Sequence, residues 1–125
     1  MYLLDTHTLL WALTDKSKLS EKVQKIIEPA QNLYVSIASF WEIAIKQNIG
    51  KLDLKISPAE LMEQAEKQYV QIVNITGSHL NQLSSLEKIH NDPFDRLLIC
   101  QAKAEGFKIL TKDEIIPRYD VEVVW

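Results

Sequence analysis

The sequence predicts an α/β protein in which helices cover both faces of a mainly parallel sheet. Short apolar runs alternate along the chain with segments whose apolar residues recur at helical spacing. Strands separated by helices pair in parallel through right-handed crossovers, which place the helices on the faces of the sheet. The chain has 125 residues, enough for one buried core, so we expect residues 1–125 to form a single domain.

The predicted strands are short apolar runs, and together they give a sheet of four to five strands. The first run, Leu3-Leu4, stops at a single acid, Asp5. The runs lie at residues 3–4, 33–36, 70–75, 108–111 and 121–124. In an open parallel sheet, ligands bind at the carboxyl ends of the strands. Asp5 should therefore stand at the edge of the sheet where a ligand would bind.

The predicted helices lie between these strands and have recognisable starts and stops. Ser, Thr, Asp and Asn favour the N-cap, and proline favours the first helical position. The predicted starts are Ser20, Ser39 with Glu42 as a capping box, Ser57-Pro58, Gly77-Ser78 and Asp92-Pro93. The predicted stops are Pro29, Gly50 and Gly106.

Composition and charge limit the class of protein. Apolar residues make up 46% and charged residues 25% of the chain, which is ordinary for a globular domain. We expect no membrane segment and a cytoplasmic location, because there is neither a run of about 20 apolar residues nor a basic, apolar leader. The lone cysteine, Cys100, excludes an internal disulfide and is expected to be a buried, inert thiol. A net charge of −3 argues against passive coating of nucleic acid, but not against an enzyme that acts on it through bound metal.

Four acids follow a strand or begin a helix: Asp5, Glu42, Asp95 and Asp113; Asp92 is a fifth candidate. Each has a purely structural alternative. Asp5, Asp92 and Asp113 are possible helix caps, Glu42 is the third residue of the capping box, and Asp95 suits the first turn of a helix.

A parallel sheet would bring these acids to one edge. Several carboxylates in one pocket repel each other unless protons or a divalent cation compensate. Oxygen ligands suit Mg²⁺ or Mn²⁺, and two such ions can activate water and stabilise a leaving oxygen. No histidine–cysteine cluster offers a zinc site.

Four segments carry a family resemblance that runs almost end to end. They are Leu3-Leu4-Asp5-Thr6-His7, Ser39-Phe40-Trp41-Glu42-Ile43-Ala44-Ile45-Lys46, His90-Asn91-Asp92-Pro93-Phe94-Asp95-Arg96-Leu97-Leu98-Ile99 and Thr111-Lys112-Asp113-Glu114. In this order and spacing the chain resembles a PIN-domain ribonuclease of the VapC toxin type. The resemblance implies a three-layer α/β/α sandwich, metal-dependent cleavage of RNA, a homodimer and a cognate antitoxin.

The resemblance also assigns the site. Asp5, Glu42 and Asp95 fall on the three most regular acidic positions of the family, and Asp113 falls on a more variable fourth. Asp92 is left as a cap. We therefore expect Asp5 and Asp95 to hold a Mg²⁺ or Mn²⁺ ion, directly or through water. Glu42 and Asp113 would complete the shell and orient a water, whose in-line attack would leave a 5′-phosphate and a 3′-hydroxyl.

Threonines, basic residues and histidines lie near the four acids in the sequence. Thr6 and Thr111 would hydrogen-bond a carboxylate, a water or a phosphate, although ordinary turn chemistry explains them as well. The basic residues that would guide RNA are Lys46, Lys51, Arg96 and Lys112. Arg96 is the strongest candidate among these. The alternative for the basic residues is a solvated helix face. Arg96 could instead pair with an acid or with a partner protein. Of the three histidines, His7 lies closest to a proposed ligand, and a role in the rim or core is expected for it.

The aromatic residues Trp11, Phe40 and Trp41 are expected in the core or at an interface, either between two copies of the chain or with an antitoxin helix.

Three other classes compete with the nuclease. A haloacid-dehalogenase-like phosphatase needs a second aspartate two residues after the first, and His7 occupies that place. A receiver domain needs an acid pair after its first strand and an aspartate in mid-chain, where this chain has Glu42. The remaining alternative is a catalytically inactive PIN-like module that binds RNA or protein. All four acids are present, so nothing in the sequence supports a loss of catalysis.

Overall fold

A computed structural model describes all residues from 1 to 125 and shows a five-stranded, wholly parallel sheet. The strands are β1 (Tyr2–Leu4), β2 (Leu33–Ser36), β3 (Val70–Val73), β4 (Lys108–Leu110) and β5 (Val123–Val124). They lie in the order β3-β2-β1-β4-β5, and every neighbouring pair is parallel. The prediction of a parallel sheet is confirmed, although β5 is shorter than the sequence suggested.

Six helices connect or flank these strands. They are α1 (Thr6–Thr14), α2 (Glu21–Ile27), α3 (Ile37–Asn48), α4 (Pro58–Lys67), α5 (Gly77–Ser84) and α6 (Pro93–Glu105). Short 3₁₀ turns lie at Lys16–Lys18 and Ile116–Arg118. The helices are all too short or too polar to span a lipid bilayer.

The core lies on both faces of the sheet, as a three-layer α/β/α sandwich requires. Leu3 and Leu4 are adjacent in β1, so their side chains point to opposite faces. Leu4 packs in a cluster with side chains from α1, α2, α3 and α4, whereas Leu3 packs in a second cluster with side chains from α6. Both leucines are fully buried. Cys100, also on α6, is buried and unpaired, and burial raises the pKa of its thiol, as expected for an inert cysteine.

The local start and stop signals are largely confirmed. The side chains of Ser20, Ser57 and Asp92 each accept a hydrogen bond from the first turn of the helix that follows. Gly106 ends α6 in the left-handed conformation, with φ at 74°, where a side chain would be strained.

The predicted capping box of Ser39 and Glu42 is wrong. Helix α3 begins at Ile37, and Ser36 at the end of β2 is its N-cap, accepting a hydrogen bond from the N–H of Ala38. Strand and helix are therefore joined without a loop, and Ser39 lies one turn too late to be the cap. Glu42 is consequently free of any capping role.

The topology sets the position of the site. From β1 the chain moves outward to β2 and β3, and it then returns to the other side of β1 with β4 and β5. The crevice between β1 and β4 is thus the point where the strand order changes direction, which is where open α/β sheets bind ligands. Asp5 follows β1 there, and Thr111 and Asp113 follow β4.

Candidate active site

A small pocket at the carboxyl edge of the sheet brings three of the predicted acids together. Asp5, Glu42 and Asp95 all line it, together with Thr6, Ser36, Ala38, Ser39, Phe94 and Leu98. Its volume is about 10 Å³, which is room for about one water molecule or a cation of similar size. An open depression of about 430 Å³ adjoins the pocket, and Asp5 lines both of them.

Asp5 is held on both oxygens of its carboxylate. Oδ1 accepts from the backbone N–H of Thr8 at 2.8 Å, and Oδ2 accepts from Oγ1 of Thr111 at 2.5 Å. The N–H of Asp5 donates to the carbonyl oxygen of Leu110, which ties the residue to the end of β4. Asp5 is therefore the N-cap of α1 and a pocket residue at once, so its structural and functional interpretations do not exclude each other.

Glu42 is buried in the second turn of α3, and both of its oxygens also have partners. Thr6 donates its hydroxyl to Oε1 at 2.6 Å, and Lys46, one turn later on the same helix, places Nζ 2.9 Å from Oε2. The buried carboxylate is thus neutralised within the chain. Lys46 was expected to guide RNA, but here it forms an ion pair with Glu42.

Asp95 lies in the first turn of α6 and is less firmly held than Asp5 or Glu42. Its one side-chain partner is His90, whose Nε2 lies 3.2 Å from Oδ2. Burial raises the pKa of Asp95 to about 6, and the negative charges of Asp92 and Asp113 add to that effect while His90 opposes it. The folded protein therefore disfavours the ionised form of the Asp95 carboxyl relative to a free aspartate.

Asp92 is the N-cap of α6, as the sequence predicted, and it does not line the pocket. Its Oδ1 accepts from the N–H groups of Phe94 and Asp95. It also acts beyond capping, because its charge is one of those that raise the pKa of Asp95.

Asp113 lies outside the small pocket, in the adjoining depression. Its Oδ2 accepts from the N–H groups of Ile115 and Ile116 at 2.9 and 2.8 Å, and its own N–H donates to Oγ1 of Thr111. It therefore caps a turn, as one alternative proposed. Thr111 links it to the pocket, since the same hydroxyl donates to Asp5.

The predicted role of Arg96 in guiding RNA is not supported, because its side chain turns inward. Nη1 donates to the carbonyl oxygen of Glu87 at 2.8 Å and to the hydroxyl of Tyr119 at 3.0 Å. Of the other basic residues, Lys112 lines the depression and Lys51 is exposed in the loop after α3.

His90 and Tyr119 are the residues that the sequence did not reveal. His7, which is the histidine closest in sequence to a proposed ligand and was expected in the rim or core, lines the depression, whereas His90 contacts a pocket acid directly. A signal existed for His90, since it precedes Asp95 by five residues at a capped helix start. No sequence signal predicted a role for Tyr119, which lies in the C-terminal segment and is nearly fully buried.

The pocket suits a divalent cation that keeps part of its water shell. All the donors that line it are oxygens, which Mg²⁺ and Mn²⁺ prefer. No three acidic, histidine or cysteine side chains are placed to hold one ion between them. Mg²⁺ ordinarily takes only one or two protein carboxylates and completes its octahedron with water and phosphate. The raised pKa of Asp95 means that its ionised form is disfavoured in the free protein, and a cation bound nearby would stabilise that form.

Comparison with known families agrees with this geometry. A family model described as the PIN domain matches residues 2–122. The chain belongs to the PIN-domain family. The resemblance drawn from the four sequence segments is thereby confirmed, as is the α/β/α architecture that it implied.

Comparison with individual proteins gives a sequence relative and several structural neighbours of this PIN domain. Ribonuclease VapC22 of Mycobacterium tuberculosis is 30% identical over 112 residues, which are 89% of this chain and 85% of the relative. A DNA-bound VapBC from Salmonella typhimurium has a TM-score of 0.73 at 12% identity, covering 98% of this chain and 96% of that one. VapBC2 from Rickettsia felis, bound to a promoter DNA fragment, has a TM-score of 0.70 at 14% identity with the same coverage. At such identities the two structures show that the fold is shared.

Proposed function

We propose that this PIN domain is an endoribonuclease that depends on Mg²⁺ or Mn²⁺ and is the toxin of a toxin–antitoxin pair. The observation that carries the proposal is the convergence of Asp5, Glu42 and Asp95 on one small pocket at the switch point of the sheet. A relative of 30% identity is named a ribonuclease, which supports RNA as the substrate.

The proposed roles follow from how each carboxylate is held. Asp5 and Asp95 would hold the cation, directly or through water, because both line the small pocket, and Asp5 also lines the open depression beside it. A bound divalent cation lowers the pKa of water and neutralises charge on a phosphate. Thr8 and Thr111 fix the orientation of Asp5, and Thr6 fixes that of Glu42.

Glu42 and Asp113 would orient the attacking water. Asp113 lines the depression and uses Oδ2 for its turn, and its Oδ1 has no hydrogen-bond partner in the chain, so this oxygen is available to accept a hydrogen bond from that water. In-line attack of that water on the phosphorus would release a 5′-phosphate and a 3′-hydroxyl. The depression provides the open approach that an RNA strand needs, with Lys112 on its rim.

The decisive experiment is cleavage of labelled RNA by the purified protein, with Mg²⁺ or Mn²⁺ and with a chelator. Cleavage should need the cation, leave 5′-phosphate ends and vanish in Asp95→Asn. The alternative is an inactive PIN-like module that binds RNA or protein. That alternative predicts RNA binding without cleavage at any cation concentration, and such a result would overturn the proposal.

The proposed partners are a second copy of the chain and a cognate antitoxin. Trp41 and Ile45 on α3 and Ile49 just after it recur every four residues, and Trp41 is 62% exposed, so this part of the surface presents an apolar row to solvent. We assign this row to the homodimer, because exposed apolar rows mark protein contacts. A monomer at micromolar concentration in sedimentation analysis would contradict the assignment.

The antitoxin is supported by the structural neighbours, which are solved as toxin–antitoxin complexes. A small open reading frame directly upstream, encoding a DNA-binding protein that binds this chain and inhibits cleavage, is the expected observation. If the frame is absent, the toxin assignment weakens while the nuclease assignment stands.

A further inference from the structure

The hydroxyl of Tyr119 is the meeting point of three hydrogen bonds behind Asp95. It accepts from the backbone N–H of His90 at 3.2 Å and from Nη1 of Arg96 at 3.0 Å. The Nδ1 atom of His90 lies 2.8 Å from the same oxygen. A phenolic oxygen can accept two hydrogen bonds and donate one. Since two N–H groups already use its acceptor capacity, Tyr119 donates its own proton to Nδ1 of His90 when the imidazole is neutral.

That assignment fixes the tautomer of His90. In a neutral imidazole one ring nitrogen accepts and the other carries the proton. With Nδ1 accepting from Tyr119, the proton is on Nε2, and this is the nitrogen that lies 3.2 Å from Oδ2 of Asp95. His90 therefore donates to Oδ2 of Asp95, and the other carboxylate oxygen of this pocket residue has no hydrogen-bond partner in the chain.

Arg96 fixes the positions of the segments on either side of this hydrogen bond. Its Nη1 donates to the carbonyl oxygen of Glu87, in the segment that leads to His90, as well as to Tyr119. One guanidinium thus ties the segment before α6 to the C-terminal segment, with the imidazole between them. Hydrogen bonds that fix the orientation of a metal-binding side chain commonly tune metal affinity.

We propose that Tyr119 and Arg96 are positioning residues of the site: they fix His90 as an Nε2–H donor to Asp95 and so set the orientation of that carboxylate. For its effect on cation binding and cleavage the inference rests on the proposed function. The hydrogen-bond assignment itself does not, because it concerns the protein without any cation.

A purely structural role for Tyr119 predicts something different. Its ring is buried and packs edge-on against His90, with centroids 5.4 Å apart, and belongs to the apolar cluster on the α6 face. Phenylalanine would fill the same space. Tyr119→Phe therefore removes the hydroxyl alone and separates the two roles.

The test begins with ¹⁵N–¹H NMR of the histidine side chains in the metal-free protein, on the basic side of the imidazole titration. Wild-type His90 should show a protonated Nε2 and an unprotonated Nδ1. In Tyr119→Phe the other tautomer should become populated. Tyr34→Phe is the matched control: the Tyr34 hydroxyl reaches only the sulfur of Met1, at 3.7 Å, and its ring stacks on Phe107 away from the pocket. It should leave the His90 signals unchanged.

The second measurement is calorimetric titration with Mn²⁺ alone, followed by RNA cleavage kinetics. Tyr119→Phe should bind Mn²⁺ about tenfold more weakly than the wild type, as is typical when a residue that orients a metal-binding side chain is changed. The kcat should fall by a similar factor with KM nearly unchanged, because the hydroxyl does not touch RNA. Tyr34→Phe should match the wild type in both.

Two outcomes would overturn the inference. One is a wild-type His90 with its proton on Nδ1, which can be read even if Tyr119→Phe fails to fold. The other is a folded Tyr119→Phe that retains the wild-type tautomer and Mn²⁺ affinity. If instead the wild type binds no Mn²⁺ and cleaves no RNA, the proposed function fails, while the NMR result still decides the hydrogen-bond assignment.

Discussion

The two halves of the acidic pocket are built differently. Asp5 and Glu42 are nearly fully buried, and all four of their carboxylate oxygens have partners at 2.5 to 2.9 Å. Those partners come from α1, from α3 and from the residue after β4. Asp95 has one side-chain partner, His90, at 3.2 Å, and His90 depends on the loop before α6 and on the C-terminal segment.

This difference shows that Asp5 and Glu42 have all their carboxylate oxygens bonded without a ligand, whereas Asp95 does not. In the first half, hydroxyl and N–H donors and one ammonium group balance the negative charge, so Asp5 and Glu42 keep one orientation in the free protein. In the second half, burial raises the pKa of Asp95 to about 6, and the negative charges of Asp92 and Asp113 add to that effect. The first half is the rigid half, in which Asp5 and Glu42 are already oriented. In the second half, a bound cation would change the ionisation of Asp95. Four variants test this contrast.

Asp5→Asn should have the largest effect. Asparagine still accepts from Thr8 and still caps α1, so the fold should persist, but the charge beside the cation is lost. We expect RNA cleavage to fall by at least about a hundredfold, more than for removal of a residue that only orients a metal-binding carboxylate. Circular dichroism checks the fold. Asp15→Asn is the matched control, because Asp15 caps only an exposed turn through Ser17. Normal metal-dependent cleavage by Asp5→Asn would show that the site is misassigned.

Asp95→Asn should make the metal-free protein more stable at neutral pH. The folded-state pKa of Asp95 is about 6 against an ordinary 3.8, so the folded protein binds the extra proton between these values. Stability from this group is therefore present at low pH and lost as pH rises through about 6. Asparagine removes that loss, and we expect a gain of about 2 kcal/mol above pH 6.

Urea unfolding at about pH 4 and about pH 8 measures the effect, which should be large only at the higher pH. Asp53→Asn, in an exposed loop, is the control. An Asp95→Asn protein that is less stable than the wild type at both pH values would contradict the contrast between the halves.

Thr111→Val should loosen the rigid half. Valine keeps the shape of threonine and removes the hydroxyl that donates to Asp5 and accepts from the N–H of Asp113. Loss of this link should lower kcat about tenfold, with a stability cost of about 1 kcal/mol for the unpaired groups. Thr14→Val removes a hydroxyl that bonds only within α1, and it should leave kcat unchanged. Equal kcat values for the two variants would show that Thr111 has no special role.

Lys46→Met should have the smallest effect, and its direction is opposite. Lys46 competes with any cation for Oε2 of Glu42, so its removal leaves the pocket more negative. We expect Mn²⁺ to bind a few-fold more tightly, since the pair is partly exposed and screened. Lys22→Met, on the exposed face of α2, should not change Mn²⁺ affinity. Weaker Mn²⁺ binding by Lys46→Met would mean that Lys46 supports the site instead of competing with it.

The sequence allowed the fold and the acids to be predicted because both depend on local signals. Caps such as Ser57 and Asp92 act within one turn, and parallel strands necessarily bring Asp5 and Thr111 to one edge. The start of α3 was misplaced because Ser36 and Ser39 are both good caps, and the choice depends on where β2 ends.

The partners of the acids were harder to predict. The pair of Glu42 and Lys46 lies four residues apart on a helix, so its signal was present in the sequence. The inward turn of Arg96 and the contact of Tyr119 with His90 depend on tertiary packing across 23 and 29 residues. Neither the apolar periodicity of the sequence nor its helix-capping residues indicate such contacts.

The link between Asp5 and Thr111 has a consequence for how the protein is made. The two residues are 106 positions apart, and β1 cannot acquire its neighbour β4 until residues 108–110 have left the ribosome. Until then the first carboxylate has no Thr111 to orient it, and Asp113 has not been synthesised. On the proposed assignment, a nascent chain that has not yet reached residue 113 is harmless to the RNA around it, and activity arises only after β4 has joined the sheet. A cognate antitoxin then needs to neutralise only molecules in which β4 is in place.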